Sequence, residues 1–195
     1  MKNKFKFEKR HFILGIVLTL IIASIIYFEG QKVKINSNSN EAVKVNDKDS
    51  SKIIDGDIYD LAPELAGISG YLNTEDEEIK ISDFEGKVVL IDFWTYTCIN
   101  CIRTLPYLTS WDEKYRDKGL VIIGVHSPEF DFEKEKENVL KAIEKYGIKY
   151  PVVQDNDHAT FQAFESRVWP RKFLIDSEGY IRYDHIGEGG YEETE

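Results

Sequence analysis

The chain has 195 residues, of which 42% are hydrophobic and 13% aromatic, enough for one packed domain plus an appended segment and too many for a chain disordered throughout. Its formal net charge is −10, although residues 1–10 carry five basic side chains and one acidic side chain. The remainder is therefore strongly acidic, which argues against nucleic-acid binding because phosphate backbones would repel it.

An uncharged, apolar run follows the basic tail. Residues 11–28 are long enough to cross a bilayer as one helix. Positive charges before such a run keep the N-terminus in the cytoplasm. A cleavable signal peptide is the alternative, but no small-residue cleavage site follows. We therefore predict a cytoplasmic basic tail over 1–10, a transmembrane anchor over 11–28 in the cell membrane, and an extracytoplasmic location for the rest.

A polar segment separates this anchor from the remaining chain. Residues 29–56 are rich in Asn, Ser, Asp, Lys and Glu and show no hydrophobic period. Such a composition is typical of a flexible linker. We predict a flexible polar linker over 29–56 and a folded domain over 57–195.

The predicted domain alternates buried strands with helices. The first strand covers 87–94, an apolar and β-branched run, and a helix follows from Ile99 to Arg116, where apolar residues recur at helical spacing. A second buried strand covers 120–125, and an amphipathic helix runs from Glu133 to Tyr146.

The C-terminal part is predicted to contain shorter elements. They are an extended segment at 150–153, a brief helix at 158–166, and a hairpin of 172–175 with 180–183. Alternating strands and helices favour parallel pairing, and a closing hairpin adds an antiparallel pair. The predicted fold is an α/β sandwich with a mixed central sheet flanked by helices, preceded by one transmembrane helix.

The chain has two cysteines, Cys98 and Cys101, separated by two residues. One pair is too few for a four-cysteine zinc site, and a structural disulfide closing so short a loop would add little stability. Cys98 is predicted to open a helix, where free N–H groups favour a thiolate. Cys101 lies one turn further, where it could resolve a mixed disulfide. We predict a redox-active disulfide, with no other cofactor and no metal.

The residues around this pair carry a family resemblance. The pattern Asp92-Phe93-Trp94-x-x-x-Cys98-x-x-Cys101 resembles the thioredoxin-like superfamily. The segment from Phe93 to Cys101 is similar to the TlpA-like branch, and within it to the extracytoplasmic thioredoxin-like domain of DipZ-type proteins. Three further segments agree, at 124–130, 169–176 and 187–191. The resemblance extends over roughly residues 60–195 and implies a thioredoxin-like fold.

The resemblance implies roles for four further residues. Asp92 matches the family's buried carboxylate, which accepts the proton of the second cysteine; a purely structural strand aspartate is the alternative. Trp169 and Pro170 match the cis-proline site, which lies beside the cysteines and binds the substrate peptide. Trp94 is expected either to form an apolar lid at the active site or to pack in the core.

Ile99 and Asn100 stand between the cysteines and provide no cation to hold a thiolate, so we expect a reductant rather than a strong oxidant. The resemblance implies protein disulfides as substrates and a CcdA-like membrane electron donor as a partner. The predicted function is that of a membrane-anchored thiol–disulfide oxidoreductase.

Two alternatives stay open. The first is a thiol-dependent peroxidase, although Thr95 and Thr97 do not reproduce the P-x-x-x-T-x-x-C context of such enzymes. The second is a non-catalytic, membrane-anchored binding module with an idle disulfide.

Overall fold

The computed structural model describes residues 51–75 and 77–195. The predicted basic tail, the predicted transmembrane anchor and most of the predicted linker lie outside these residues. Within the two described ranges, no helix combines the length and apolar character needed to cross a membrane.

The described chain opens with a small hairpin. Strand β1 (Ser51–Ile54) pairs antiparallel with β2 (Asp57–Asp60). The connecting residues Asp55 and Gly56 both have positive φ, at 53° and 94°. An Asp-Gly pair with positive φ at both positions is favoured in two-residue hairpin turns. Residues 51–54, within the predicted linker of 29–56, form the first strand of this hairpin.

The main sheet has six strands, which are β3 (Gly70–Leu72), β4 (Val88–Trp94), β5 (Leu120–His126), β6 (Val152–Gln154), β7 (Arg171–Ile175) and β8 (Ile181–Ile186). Their order across the sheet is β3-β6-β5-β4-β7-β8. The central strands β4, β5 and β6 run parallel, whereas β3, β7 and β8 pair antiparallel with their neighbours. The prediction of a mixed central sheet is confirmed.

The α-helices are α1 (Ile99–Tyr115), α2 (Lys136–Tyr146), α3 (Ala159–Ala163) and α4 (Tyr191–Thr194). Short 3-10 turns cover 81–84, 116–118 and 131–134. The helix predicted to start at Glu133 instead starts at Lys136, since 131–134 form a separate turn. Glu133 therefore lies in the turn that precedes this helix and not in the helix itself.

Strand β4 divides its side chains between the two faces of the sheet. Val89, Ile91 and Phe93 belong to an apolar cluster that includes Phe161 of α3. Leu90 and Trp94 belong to a second cluster, which includes apolar residues of α1 and α2. Side chains alternate along a strand, so Asp92 points to the α1 face with Leu90 and Trp94. The strand period thus directs this carboxylate toward the helix that carries both cysteines.

Candidate active site

Cys98 lies where β4 leads into α1. The backbone N–H of Cys98 donates to the carbonyl of Thr95 at 3.2 Å, and Cys98 is the N-cap residue of α1. The Cys98 sulfur accepts a hydrogen bond from the backbone N–H of Cys101 at 3.3 Å. The sulfur of this half-buried residue is thus held against the N–H groups that begin a helix, where negative charge is favoured.

Cys101 sits one turn into α1 and is fully buried. Both cysteines are free thiols in this structure. Burial raises the pKa of the Cys101 thiol, and its hydrogen bond with Cys98 and the nearby charge of Asp92 raise it further. Cys101 therefore stays protonated at neutral pH unless another group takes its proton.

Asp92 is the buried carboxyl on the same side of the sheet. The residue is completely buried, and neither carboxylate oxygen has a hydrogen-bond partner among the described residues. Burial raises the pKa of Asp92 to about 7, although the positive charge of Lys172 acts in the opposite direction. A carboxyl that titrates near neutral pH can both accept and return a proton.

Lys172 is a neighbour of this carboxyl that sequence reasoning missed. It lies directly opposite Asp92 in the antiparallel pair of β7 with β4, and it is only 1% exposed. Its Nζ donates to the carbonyl of Gly187 at 3.4 Å. Nothing in the local pattern of β7 distinguishes Lys172, because only strand pairing places it beside Asp92.

The Trp169–Pro170 peptide bond is cis, as the resemblance implies. Pro170 immediately precedes β7, whose first residue, Arg171, pairs with Phe93 near the C-terminal end of β4. The cis-proline therefore lies at the same end of the sheet as Cys98. Trp169 is half-buried and stacks on Phe161, with the ring centroids 4.9 Å apart.

Trp94 does not form a lid over the site. It is fully buried, and its ring meets that of His126 edge-on at 5.3 Å. A Cβ at Gly124 would lie 3.1 Å from the Trp94 Nε1, so the indole packs closely on that glycine. The indole belongs to the buried cluster that also contains Cys101, a position that fits the core-packing alternative and leaves no exposed surface for a lid.

Glu133 is the second residue that sequence reasoning missed. It is fully buried, and its carboxylate accepts hydrogen bonds from the Thr97 hydroxyl and from the backbone N–H groups of Glu129 and Phe130. Burial alone would raise the pKa of Glu133, but these bonds outweigh it and lower the pKa. A buried carboxylate thus fastens the loop before Cys98 to the segment after β5. Glu129, Asp131 and Glu135 surround it in the sequence, so no local pattern singled it out.

His126 packs beneath the same loop. Its ring stacks on Tyr96 with the centroids 5.5 Å apart, and its Nε2 lies 3.4 Å from the Thr95 hydroxyl. Burial lowers the pKa of His126 to about 4, so the ring is neutral at physiological pH. Within the described ranges, no group of three or more His, Cys, Asp or Glu side chains could hold a metal ion.

The arrangement combines an accessible sulfur, a buried sulfur one turn below, and a carboxyl able to exchange a proton near pH 7. Such a set can form and resolve a mixed disulfide. The comparisons with known proteins agree with this chemistry.

Residues 58–184 match the model of the AhpC/TSA family. The protein DipZ of Mycobacterium bovis is 48% identical over 135 residues, which are 69% of this chain and 19% of DipZ. The thiol-disulfide oxidoreductase ResA of Bacillus thuringiensis is 31% identical over 121 residues, covering 62% of this chain and 67% of ResA. A crystal structure of a thiol-disulfide isomerase from Corynebacterium glutamicum superposes with a TM-score of 0.58 at 25% identity, covering 66% of this chain and 88% of that one.

The chain spans only 19% of the length of DipZ, so the similarity concerns one domain of that longer protein. ResA and the Corynebacterium glutamicum isomerase are both named for thiol–disulfide chemistry. The family match covers more than half of the chain, and the structure has the mixed sheet and flanking helices of these neighbours. The chain therefore belongs to the AhpC/TSA family and has a thioredoxin-like α/β fold.

Proposed function

We propose that this chain is a membrane-anchored, extracytoplasmic reductant that exchanges disulfides with protein substrates through Cys98 and Cys101. One observation carries the proposal. The half-buried Cys98 caps α1 with its sulfur while Cys101 lies buried behind it, on the face of the sheet to which Asp92 points. This geometry separates a sulfur that can attack from a sulfur that can only resolve.

In the first step, the Cys98 thiolate attacks one sulfur of a substrate disulfide. The substrate S–S bond breaks, a mixed disulfide forms with Cys98, and the other substrate sulfur leaves as a thiolate. The half-buried Trp169, next to the buried Pro170 at the same end of the sheet, provides the surface on which the substrate peptide rests.

In the second step, Cys101 gives its proton to the Asp92 carboxylate and attacks the Cys98 sulfur. The mixed disulfide breaks, a Cys98–Cys101 disulfide forms, and the second substrate sulfur is released. Two electrons have then passed from the dithiol to the substrate. Asp92 suits this role because its pKa, raised to about 7 by burial, leaves a base available at neutral pH.

The proposed direction follows from the residues between the cysteines. Ile99 and Asn100 are both exposed and carry no positive charge that would stabilise the reduced form. A reductant outside the cytoplasm needs electrons from within, so we propose a CcdA-like membrane protein as the donor. The uncharged run at 11–28 would hold the domain at the membrane beside such a donor.

Cysteine variants test the exchange mechanism. In the full-length chain, Cys101→Ser should accumulate mixed disulfides with protein substrates, because the resolving sulfur is absent. Cys98→Ser is the matched control and should trap none, since the remaining sulfur is buried. Trapping by both variants, or failure of the reduced parent to reduce insulin, would contradict the proposal.

Equilibration with glutathione buffers tests the direction. A reductant should have a reduction potential well below that of the strongly oxidising periplasmic enzymes, whose potential is about −120 mV. A measured potential close to that value would refute the reductant assignment while leaving the exchange chemistry intact.

A further inference from the structure

Two large aromatic side chains lie exposed on the segment between β5 and α2. Phe130 is 48% exposed and Phe132 is 53% exposed. Their rings stack almost in parallel, with the centroids 5.5 Å apart and an interplanar angle of 5°. Single exposed apolar residues are common, but adjacent, ordered aromatic rings are characteristic of binding surfaces. We call this pair the aromatic shelf.

The aromatic shelf is fastened to the loop that presents Cys98. The Tyr96 hydroxyl donates to the Phe132 carbonyl at 3.2 Å, and the ring centroids of Tyr96 and Phe132 are 6.4 Å apart. Tyr96 is only two residues before Cys98, so their Cα atoms are at most about 7.6 Å apart. The shelf also follows β5 at the end of the sheet that carries Cys98, because Trp94 and His126 end the parallel strands β4 and β5 in register.

The backbone that carries the shelf is held in place from below. The buried carboxylate of Glu133 accepts from the N–H of Phe130 at 2.9 Å and from the Thr97 hydroxyl. The side chain of Asn138 in α2 donates to the Phe132 carbonyl at 3.0 Å. Because the shelf is already ordered, a partner that covers it pays little conformational entropy for these groups.

The charge around the shelf indicates what its partner carries. Residues 129–135 contain four acidic side chains and one basic side chain. That one basic group, Lys134, is paired with Asp131 at 2.9 Å. An apolar partner residue seated on the two rings would therefore lie beside uncompensated negative charge, which favours lysine or arginine next to it.

We infer that the aromatic shelf binds a substrate polypeptide segment that has a large apolar side chain beside its disulfide cysteine and a basic residue next to that. This inference rests on the proposed function, because it assumes that Cys98 receives a polypeptide. The exposed Ile99, directly after Cys98, adds a further apolar contact for the same segment. The shelf thus selects among protein disulfides without touching the reacting sulfurs.

Peptide disulfides test the inference. The probes are disulfide-linked dimers of acetylated Lys-Cys-Phe-Lys, of Lys-Cys-Gly-Lys and of Glu-Cys-Phe-Glu, reduced by the full-length, dithiol-form protein. We expect kcat/KM for the Phe–Lys peptide to exceed that of each other peptide by about tenfold, a preference typical of one buried aromatic contact. In the double variant Phe130→Ala, Phe132→Ala, the preference for Phe over Gly should fall to about onefold to twofold.

Ile53→Ala, Ile58→Ala is the matched control, because it removes two apolar side chains that are even more exposed, from the β1–β2 hairpin. It should retain the tenfold preference. Equal rates for the three peptides with the parent protein, or an unchanged preference in the shelf variant, would overturn the inference while leaving disulfide exchange established. Failure of the parent to reduce any of the three would instead refute the proposed function. A concentration-dependent dimer abolished by the shelf variant would assign the shelf to a second copy of this chain and overturn the inference.

Discussion

Replacing Asp92 with asparagine should stabilise the protein at alkaline pH. The Asp92 carboxyl is fully buried and its oxygens have no hydrogen-bond partner among the described residues, so its ionised form is costly in the folded state. Its pKa is raised from 3.8 to about 7 by burial, against the opposing charge of Lys172. Asp92→Asn keeps the shape of the neutral acid and cannot ionise.

The pH range of the effect follows from the two pKa values. Below about pH 3.8 the carboxyl is protonated in the folded and the unfolded chain alike, and its contribution to stability is fully present. As the pH rises, the unfolded chain loses this proton first, so the free energy of unfolding falls until the folded carboxyl also ionises near pH 7. At about 1.4 kcal/mol for each pH unit between these values, the loss is about 4 kcal/mol.

Urea unfolding of the reduced, full-length parent and the Asp92→Asn variant measures this loss. The difference in unfolding free energy between them should widen in favour of the variant by about 3–4 kcal/mol from pH 4 to pH 8.5. Asp57→Asn is the matched control, because that carboxylate on β2 is exposed, and its difference from the parent should stay constant. A difference for Asp92→Asn that is independent of pH, or that shrinks as the pH rises, would refute the reasoning.

Three further predictions concern the surroundings of the cysteines. Iodoacetamide should alkylate Cys98 at least about tenfold faster than Cys101, because burial hides Cys101 and raises its pKa; equal rates by peptide mass mapping would contradict the assigned roles. Lys172→Met should move the pH midpoint of insulin reduction upward, since it removes the charge that lowers the pKa of Asp92. A midpoint that stays or falls would show that Lys172 does not act on the reaction through Asp92. Glu133→Ala should lower the free energy of unfolding by about 1–3 kcal/mol, because it leaves several hydrogen-bond donors without their acceptor; a loss below about 0.5 kcal/mol would mean that water replaces the carboxylate.

The sequence by itself identified the pair of cysteines and the class of fold. Only two residues separate Cys98 from Cys101, so their placement at the first turn of a helix depends only on local spacing. Strands that are buried on both faces, such as β4 and β5, can be predicted because their sequences are unbroken apolar runs. The Asp55-Gly56 turn is also a local signal, since an Asp-Gly pair favours a two-residue hairpin turn.

Only the tertiary structure decided which distant residues contact Asp92 and the loop before Cys98. Lys172 faces Asp92 because β7 pairs antiparallel with β4 in one register, and a shift by one residue would turn Lys172 to the opposite face. Glu133 reaches the loop before Cys98 because the segment after β5 folds back as a 3-10 turn, although its sequence is that of a solvated helix end. Such contacts join residues that are far apart in the chain, so the local hydrophobic pattern of a helix or strand cannot predict them.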